Sequence, residues 1–468
     1  MVSFTLAYSG RDVTMLKDRS LNLSVNGQSI VIPLDKDQEI YDLPSLSTEE
    51  TNIFILENDL GASIKVAGVT LQTNKKAKVD IEKIAPNYQL TVTIEAGKDN
   101  RTIFFRTKSS LLPELMPMGE SAIEGEYTIT QEDSAVIYKL DSKGNITWYL
   151  AKTEEQTNGS TYQNFQKHIT QEGKIFYSYH IVDPEVNTFG VEDYFPGKRV
   201  VLNDEMETIP NEAGGVTCLD PEVDWDKDVP GDPIDGKDFI LLDENHYITQ
   251  SLELVSGEIL GAEYKNQFIL GAVIQEIKDN EVIFEWRSVE HPEMYETAIQ
   301  STSVMDYYHP NGMVIDPADE NVLVSFKNAN AVIKLNRETG EMIWELSGAG
   351  DDFALEKPFT DLRGISVDEL DNLVVQDGTR MVTLTISGTT IEKQEEISVP
   401  QAGSIQNLPV EKGYIVGGGS DTSGGILSWV DQGTQERIFA VYAQQDLNLS
   451  TAFFYPSKLD PEDSGFFS

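Results

Sequence analysis

The stretch DYYHPNGMVIDPADENVLVSFKNANAVIKLNRETGEMIWELSG, residues 306–348, decides the fold class. It contains four short apolar runs, and each run ends at the Asp, Asn, Gly or Pro residues that close antiparallel strands. A four-stranded unit of about 40 residues has the size of one blade of a β-propeller. The predicted strands are Tyr307–Ile315, Val322–Phe326, Ala331–Leu335 and Glu341–Leu346.

A hairpin signal like the second half of this stretch recurs along most of the chain. It consists of an apolar strand, a turn containing Gly, Asn or Glu, and a second strand that often ends in Trp, as in the outer hairpin of a blade. Six copies predict a six-bladed β-propeller, an all-β fold that hides its sheet edges by radial repetition. The copies are Ile137–Trp148, Val200–Ile209, Val273–Trp286, Val332–Trp344, Val382–Ile391 and Ile426–Phe439.

A second hairpin signal precedes most of these copies and predicts the inner strands, whose first residues line the mouth of a central channel. Its copies are Phe165–Tyr179, Asp238–Ile248, Gly364–Val375 and Gly403–Val416.

The first 108 residues form a separate region. Short β-rich runs divided by Asn-Gly and Lys-Asp-Asn turns predict a small immunoglobulin-like β-sandwich with a structural role. A linker with two prolines, 108–118, follows it. We therefore predict an N-terminal β-sandwich domain at 1–108 and a six-bladed propeller at 109–468.

Composition excludes several classes of function. The formal net charge is −43, from 78 acidic and 35 basic residues, so a broad nucleic-acid or anionic-membrane surface is not expected. No apolar window is long enough to span a bilayer. The chain has one cysteine and five histidines without metal-motif spacing, which predicts no disulfide, no metal and no cofactor.

Two segments leave alternatives open. The N-terminus lacks a basic flank followed by an apolar core, which predicts a cytoplasmic protein, or an exported one whose leader has been removed. The acidic segment Asp220–Asp235 is interpreted as a surface loop, with a calcium loop as the alternative.

Polar residues inside otherwise apolar strands are the candidate site residues, because they are predicted to point into the channel. The pattern from Tyr308-His309-Pro-Asn311-Gly through Val324-Ser-Phe-Lys327 to Ile333-Lys-Leu-Asn-Arg-Glu-Thr-Gly-Glu-Met-Ile-Trp344 resembles bacterial arylsulfate sulfotransferases. In that family the motif runs His-x-Asn, Ser-x-Arg, then Ile-Asp-x-x-Thr-Gly-x-x-x-Trp. The resemblance covers about residues 115–445.

The resemblance implies a fold, a reaction and a set of partners. The fold is a six-bladed propeller with a small N-terminal β domain. The reaction moves a sulfuryl group from an aryl sulfate to a phenol, through a histidine that is transiently sulfated. Neutral imidazole is a good nucleophile near pH 7, and charge spread over three oxygens needs cationic and amide donors. The partners are a small-molecule aryl sulfate or phenol, and the resemblance also points to a homodimer.

The chain departs from the family pattern at several residues. His309 and Asn311 match the His-x-Asn pair, but Lys327 replaces an arginine and Lys237 replaces a histidine. Arg363 stands at the position of the family's nucleophilic histidine, and arginine stays protonated and cannot attack sulfur.

Three hypotheses follow from these departures. In the first, His309 is the nucleophile or base of a sulfotransferase, with Asn311 and Arg363 also catalytic and Lys237 and Lys327 binding substrate. In the second, catalysis is lost and the same residues form a cationic channel pocket for an anionic, sulfated or aryl ligand. In the third, the protein is structural, and its propeller faces bind a partner protein.

Overall fold

The computed structural model describes most of the chain. The described residues are 19–34, 40–43, 52–58, 60, 62–66, 69–72, 75–81, 89–96, 99–106, 109, 111–121, 123–186, 188–209, 233–279, 281–295, 304–348, 350–353, 355–400, 403–418, 425–443 and 449–457. Most of the acidic segment 220–235, with its calcium alternative, lies outside them.

The chain divides into two compact units. The first comprises Met1–Leu112 with Thr147–Leu150, and the second comprises Pro113–Ile146 and Ala151–Ser468. The predicted boundary at residue 108 stays a prediction.

The first unit contains two sheets around one apolar core. One sheet has the strand order β2-β1-β4-β7 and the other β3-β9-β8-β5-β6. Alternate residues of β1 are buried and contribute Leu21, Leu23 and Val25 to the core, as expected for strands with one face against a second sheet. The strands are β1 (Ser20–Val25), β2 (Gln28–Pro33), β3 (Ile40–Asp42), β4 (Asn52–Asn58), β5 (Ser63–Val66), β6 (Val69–Leu71), β7 (Lys75–Ile81), β8 (Gln89–Ala96) and β9 (Asp99–Arg106).

The chain from Pro113 onward is built almost wholly of short strands, and one of them, β13 (Ile146–Lys152), contains the residues Thr147–Leu150 that are grouped with the first unit. The only α-helix among the described residues is a single capped turn, α1 (Glu154–Thr157), and 3-10 turns lie at Gly257–Leu260, Ala262–Tyr264, Ser288–Glu290 and Pro292–Tyr295. The strands are β10 (Leu115–Gly119), β11 (Gly125–Gln131), β12 (Ala135–Asp141), β13 (Ile146–Lys152), β14 (Tyr162–Ile169), β15 (Ile175–Val182), β16 (Pro196–Leu202), β17 (Ile234–Asp235), β18 (Phe239–Asp243), β19 (His246–Ser256), β20 (Phe268–Lys278), β21 (Glu281–Arg287), β22 (Val304–Met305), β23 (Pro310–Ile315), β24 (Val322–Phe326), β25 (Ala331–Leu335), β26 (Met342–Ser347), β27 (Leu362–Val367), β28 (Leu373–Asp377), β29 (Arg380–Ser387), β30 (Thr390–Ser398), β31 (Ser404–Leu408), β32 (Gly413–Gly417), β33 (Gly425–Asp431), β34 (Arg437–Ala443) and β35 (Leu449–Pro456).

Within the described ranges these strands form six sheets, each a run of consecutive hairpins with small additions. The first has the order β13-β12-β11-β35, and the sixth has the order β10-β34-β33-β32-β31. Between them lie β14-β15-β16-β17, β18-β19-β20-β21, β23-β24-β25-β26 and β27-β28-β29-β30. The protein is therefore all-β, as the sequence predicts.

The four strands predicted for residues 306–348 are all present, but the first is shorter than predicted and the fourth, Met342–Ser347, is shifted by one residue from the predicted Glu341–Leu346. β24 and β25 have the predicted bounds, but the first strand begins at Pro310 rather than Tyr307. The Nδ1 atom of His309 lies 3.0 Å from the Oδ2 atom of Asp306. Residues 306–309 therefore turn back on themselves before the strand begins.

The predicted outer hairpin Val200–Ile209 is present in short form. β16 ends at Leu202, Asn203 N donates to Glu207 O (2.9 Å), Ile209 N donates to Val201 O (3.0 Å), and Leu202 pairs with Thr208 in an antiparallel bridge. The outer partner of β16 is β17, which the chain reaches more than 30 residues later. A local turn signal cannot reveal a partner that a long insertion separates in sequence.

Two sheets contain strands from distant parts of the chain. β35, near the C-terminus, pairs with β11 of the first sheet, and β10 pairs with β34 of the sixth. These pairings join the two ends of the unit, and the hairpin repeat in the sequence did not predict them.

The six strands β14, β18, β23, β27, β31 and β35, called the inner strands below, each stand at one end of their sheet. Side-chain hydrogen bonds connect every consecutive pair of sheets at or next to these strands. They run from Asn164 Nδ2 to Lys237 O (2.7 Å), Met313 N to Asp238 Oδ2 (2.6 Å), Asn311 Nδ2 to Arg363 O, Asn407 Nδ2 to Asp368 Oδ2 (3.0 Å), Gln406 Nε2 to Phe454 O (2.9 Å) and Phe165 N to Thr130 Oγ1 (2.9 Å).

The described residues lack two other features. None of their helices has the length and apolar character needed to cross a membrane. They also contain no group of three or more His, Cys, Asp or Glu side chains placed to hold a metal ion.

Substitution of Phe454 tests whether the pairing of β35 with β11 stabilises the second unit. The fully buried ring of Phe454 packs 4.8 Å from Tyr127 in the first sheet and 5.4 Å from Trp429 in the sixth, measured between ring centroids. Phe454→Ala should lower the free energy of unfolding by about 3–5 kcal/mol, because it removes a buried ring and leaves a cavity. Urea denaturation measures the loss.

Phe268→Ala is the control, because this ring is 48% exposed on β20. The control should change stability by less than about 1 kcal/mol. Equal losses in the two variants would show that β35 does not fasten the sheets together.

Candidate functional site

A cavity of about 530 Å³ lies where the inner strands meet. All six sheets contribute to its lining through an inner strand or the residues just before one. Representative lining residues are Gln166 of β14, Asp238 before β18, Asn311 of β23, Arg363 of β27, Gln406 of β31 and Tyr455 of β35. A cavity on which all sheets converge is the natural place for a ligand.

Three inner strands in the described part of the chain carry a β-bulge at a residue that lines the cavity. The register shifts between Gln163 and Gln166 in β14, between Pro310 and Gly312 in β23, and between Leu362 and Gly364 in β27. Bulges redirect side chains and interrupt the backbone ladder. Asn164, Asn311 and Arg363 lie within these bulges and face the cavity.

Four of the five predicted site residues line this one cavity. They are Lys237, which precedes β18, Asn311, Lys327, which follows β24, and Arg363. The fifth, His309, is buried with 1% of its surface exposed and is not part of the lining. It lies two residues before Asn311, and its carbonyl oxygen accepts a 2.9 Å hydrogen bond from the backbone nitrogen of Lys327. His309 is therefore placed immediately behind the lining.

The surroundings of His309 favour its charged form. Burial disfavours the charge, but the hydrogen bond and negative charge of Asp306, together with nearby Asp235, raise the pKa of His309 above 6.5. Its Nε2 atom is buried and has no hydrogen-bond partner among the described residues. The bond to Asp306 thus fixes the ring and leaves Nε2 as its unused nitrogen.

The two predicted lysines share one carboxylate. Lys327 Nζ donates to Asp193 Oδ2, and Lys237 Nζ lies 3.8 Å from Asp193 Oδ1. Burial tends to raise the pKa of Asp193, but the two ammonium groups lower it overall. Asp193 was not predicted as a site residue, because it comes from a loop whose position no repeat in the sequence indicates.

Arg363 also has an acidic partner. Its Nη2 and Nε atoms lie 2.9 and 3.1 Å from Asp361 Oδ2. Asn311 donates to the backbone oxygen of Arg363, which leaves its own Oδ1 without a partner among the described residues.

The cavity is not dominated by positive charge. Four cationic side chains line it together with six carboxylates, which are Glu132, Asp193, Asp238, Asp361, Asp368 and Glu369. The structure therefore does not favour the predicted cationic pocket, because the predicted cations already have carboxylate partners.

Lys167 is a fourth lining cation that sequence reasoning missed. Its ammonium lies 2.6 Å from Glu126 Oε1, and Lys139 lies 2.6 Å from Glu126 Oε2. Burial tends to raise the pKa of Glu126, but the two lysines lower it overall. Lys167 is a single polar residue among many in β14, so no motif distinguished it.

A buried polar cluster supports the lining behind β14. Arg199 is 1% exposed and donates through Nη2 to Asn164 O (2.9 Å) and Gln166 Oε1 (3.1 Å). It also donates through Nε and Nη2 to Ser178 Oγ at 3.0 and 2.9 Å. Burial lowers the pKa of Arg199 to about 9, which leaves the guanidinium charged at neutral pH. Arg199 thereby satisfies the carbonyl that the bulge at Asn164 removes from the backbone ladder.

His168 belongs to the same cluster and is held neutral. Because Ser178 already accepts from Arg199, its single hydroxyl proton is directed to His168 Nε2, 2.6 Å away. Burial and the charge of Arg199 lower the pKa of His168 well below 6.5. Its ring proton is therefore assigned to Nδ1.

The comparison with protein families gives a match with a named activity. The family model described as Arylsulfotransferase (ASST) matches residues 98–385, more than half of the chain. No curated protein matches the sequence.

Solved structures resemble the chain only distantly. A protein of unknown function from Bacteroides caccae is 10% identical with a TM-score of 0.42, covering 72% of this chain and 100% of its own. A nidogen/laminin complex is 9% identical with a TM-score of 0.41, covering 71% and 99%. The Cps50 (Swd1) β-propeller domain of Myceliophteria thermophila is 8% identical with a TM-score of 0.36, covering 72% and 90%.

Substitutions of Asn164 test how strongly the bulge in β14, which holds the Lys237 carbonyl, contributes to stability. The backbone of Asn164 has a left-handed φ of 48°, and its side chain holds the Lys237 carbonyl. Asn164→Ala should lower the free energy of unfolding by about 2 kcal/mol, since the hydrogen bond is lost and alanine is strained in this conformation. Asn164→Gly loses the same hydrogen bond but is not strained in this conformation. Its free energy of unfolding should therefore be about 1 kcal/mol higher than that of Asn164→Ala.

Urea denaturation of the two variants separates the two contributions. If the Ala and Gly variants were equally stable, the left-handed backbone would not be a constraint on this part of the site.

Proposed function

Because the chain belongs to the arylsulfotransferase family, we propose that it transfers a sulfuryl group from an aryl sulfate to a phenolic acceptor in the cavity at the inner strands. The observation that carries the proposal is the convergence of Lys237, Asn311, Lys327 and Arg363 on one cavity with His309 behind them. We also propose that the six sheets are the blades of a six-bladed propeller and that the first unit is an immunoglobulin-like sandwich with a structural role. The closure of the first and sixth sheets by β35 and β10 supports the ring.

The lysines supply the charge that the sulfuryl group needs. Lys237 and Lys327 reach the same carboxylate from different elements, so their ammonium groups converge on one position. A sulfuryl group placed there would accept hydrogen bonds from both ammonium groups through its oxygens. Such donors stabilise the negative charge that develops during transfer. Arg363 is 35% exposed in its side chain and adds a further cation at the same cavity.

Asn311 is suited to the acceptor phenol. Its amide nitrogen is committed to the Arg363 carbonyl, so Oδ1, which is buried and has no hydrogen-bond partner among the described residues, is the atom left to accept a hydrogen bond once a substrate reaches it. An amide oxygen accepts hydrogen bonds and would orient a phenol hydroxyl. Asn311 thus positions the acceptor, while the lysines hold the group that is transferred.

His309 supplies the nucleophile in this proposal. Asp306 accepts the Nδ1 proton, which leaves the lone pair on Nε2 when the ring is neutral. Nε2 is buried behind the lining, so the proposal requires that the sulfur atom reaches it when the aryl sulfate binds. Nε2 then forms a bond to sulfur as the aryl oxygen–sulfur bond breaks, and the leaving phenolate takes up a proton from water. The acceptor phenol then attacks sulfur, loses its proton and releases Nε2, so protons balance over the two steps.

The first experiment measures aryl sulfate turnover. The protein should release p-nitrophenol from p-nitrophenyl sulfate when a phenol is added, and mass spectrometry should find one SO₃ group on His309 when the phenol is omitted. His309→Ala should lower kcat at least about 100-fold, since it removes the nucleophile. His291→Ala is the control, because His291 stacks on Trp286 and is not part of the cavity lining.

Absence of turnover by the unaltered protein would refute the transfer proposal. If p-nitrophenyl sulfate still bound in a calorimetric titration, the protein would be a ligand-binding member of the family.

The second experiment is a pH profile. Only neutral His309 has a lone pair on Nε2, so kcat/KM should rise with pH through a pKa above 6.5. Asp306→Asn removes the largest contribution that raises this pKa, although Asp235 remains, and should move the rise to lower pH.

Asp319→Asn is the control for the change of charge, since Asp319 is an exposed partner of Lys334 and is not part of the lining. It should leave the profile unchanged. An Asp306→Asn profile identical to that of the unaltered protein would show that His309 does not control the reaction through this proton.

A further inference from the structure

Asp193 lies at the centre of the proposed sulfuryl site. Besides its contacts with Lys237 and Lys327, it is close enough to His309 for that residue to help lower its pKa. The two cations that the proposed transfer requires therefore both contact one carboxylate that belongs to the protein.

The backbone around Asp193 holds the carboxylate in this position. Asp193 has a left-handed φ of 66°. The next residue, Tyr194, is buried in an apolar cluster with Leu252 and Leu270. Phe195 N donates to Asp235 Oδ1 at 3.0 Å. The segment is thus fastened on the C-terminal side of Asp193 by both apolar packing and a hydrogen bond.

The side chain itself remains displaceable. The side chain of Asp193 is 41% exposed, and those of Lys237 and Lys327 are 26% and 31% exposed. Ion pairs with this much access to water are weak, and a competing ligand can replace them.

We propose that Asp193 is a specificity-determining residue, a built-in counter-anion that excludes small inorganic anions and admits aryl sulfates. This inference rests on the proposed function. A bare sulfate ion can interact with the two lysines only through its charged oxygens. The carboxylate of Asp193 already provides such oxygens to both lysines. An aryl sulfate also buries its ring in the cavity beside Phe195, which lines it, and this apolar contribution is what displaces the carboxylate.

The test compares binding of inorganic sulfate to three forms of the full chain. Calorimetric titration should find sulfate binding to Asp193→Asn about three- to tenfold tighter than to the unaltered protein, the effect expected from removing two competing, partly exposed ion pairs. Asp193→Glu keeps the charge and should still exclude sulfate.

Asp243→Asn is the matched control for net charge. Asp243 is 48% exposed and pairs with Lys174, outside the cavity lining. This control should bind sulfate as the unaltered protein does. Equal sulfate affinity in Asp193→Asn and the unaltered protein would overturn the proposal, and so would tighter binding in both Asn variants, since that would be an effect of total charge.

Inhibition of p-nitrophenyl sulfate turnover by sulfate gives a second readout. Sulfate should become a stronger competitive inhibitor of Asp193→Asn, by the same factor as the affinity changes. The two proposals fail separately. If the protein does not turn over aryl sulfates, the transfer proposal fails, but sulfate binding by the variants can still be compared. If the protein does turn over aryl sulfates and Asp193→Asn binds sulfate no more tightly, only the proposed role of Asp193 fails.

Discussion

Side-chain hydrogen bonds between neighbouring sheets are the interaction on which the site depends. An inner strand has a neighbour within its own sheet on one side only, so the groups on its other edge need partners from elsewhere. Asn164, Asn311, Asp238 and Gln406 supply such partners by reaching across to the next sheet. Because two of these bonds end on the carbonyls of Lys237 and Arg363, the contacts that join the sheets also place the site residues.

The bulges explain why polar residues occur at the starts of inner strands. A bulge frees backbone groups from the ladder and turns a side chain toward the cavity at the same position. Asn fits this requirement, because its amide can bond to a neighbouring carbonyl and, as at Asn164, its backbone tolerates left-handed angles. The freed carbonyl of Asn164 in turn requires Arg199, which is why a charged residue is buried in this part of the molecule.

The charges of the cavity follow from the cost of leaving a buried charge unpaired. The chain carries a net charge of −43, and each cation of the cavity lining has a carboxylate neighbour. In the proposed site an anion would exchange places with a carboxylate partner of the cations, and selectivity would then depend on what the ligand offers beyond its charge. The charge of His309 is also paired. Burial alone would disfavour the positive charge of this imidazole, and Asp306 stabilises it.

The sequence by itself determined the all-β class, most of the hairpins and part of the set of residues that meet at the cavity. These features depend on local patterns, namely the alternation of apolar strands with Asn, Asp and Gly turns and the repetition of one unit. Four of the five residues selected in this way, Lys237, Asn311, Lys327 and Arg363, line one cavity. Only the tertiary structure decided the position of His309 behind the lining, the pairing of β35 with β11, and the place of Asp193 between two lysines. The physical reason is that these three features depend on contacts between residues far apart in the chain or on the path of a loop, and neither leaves a periodic signal in the sequence.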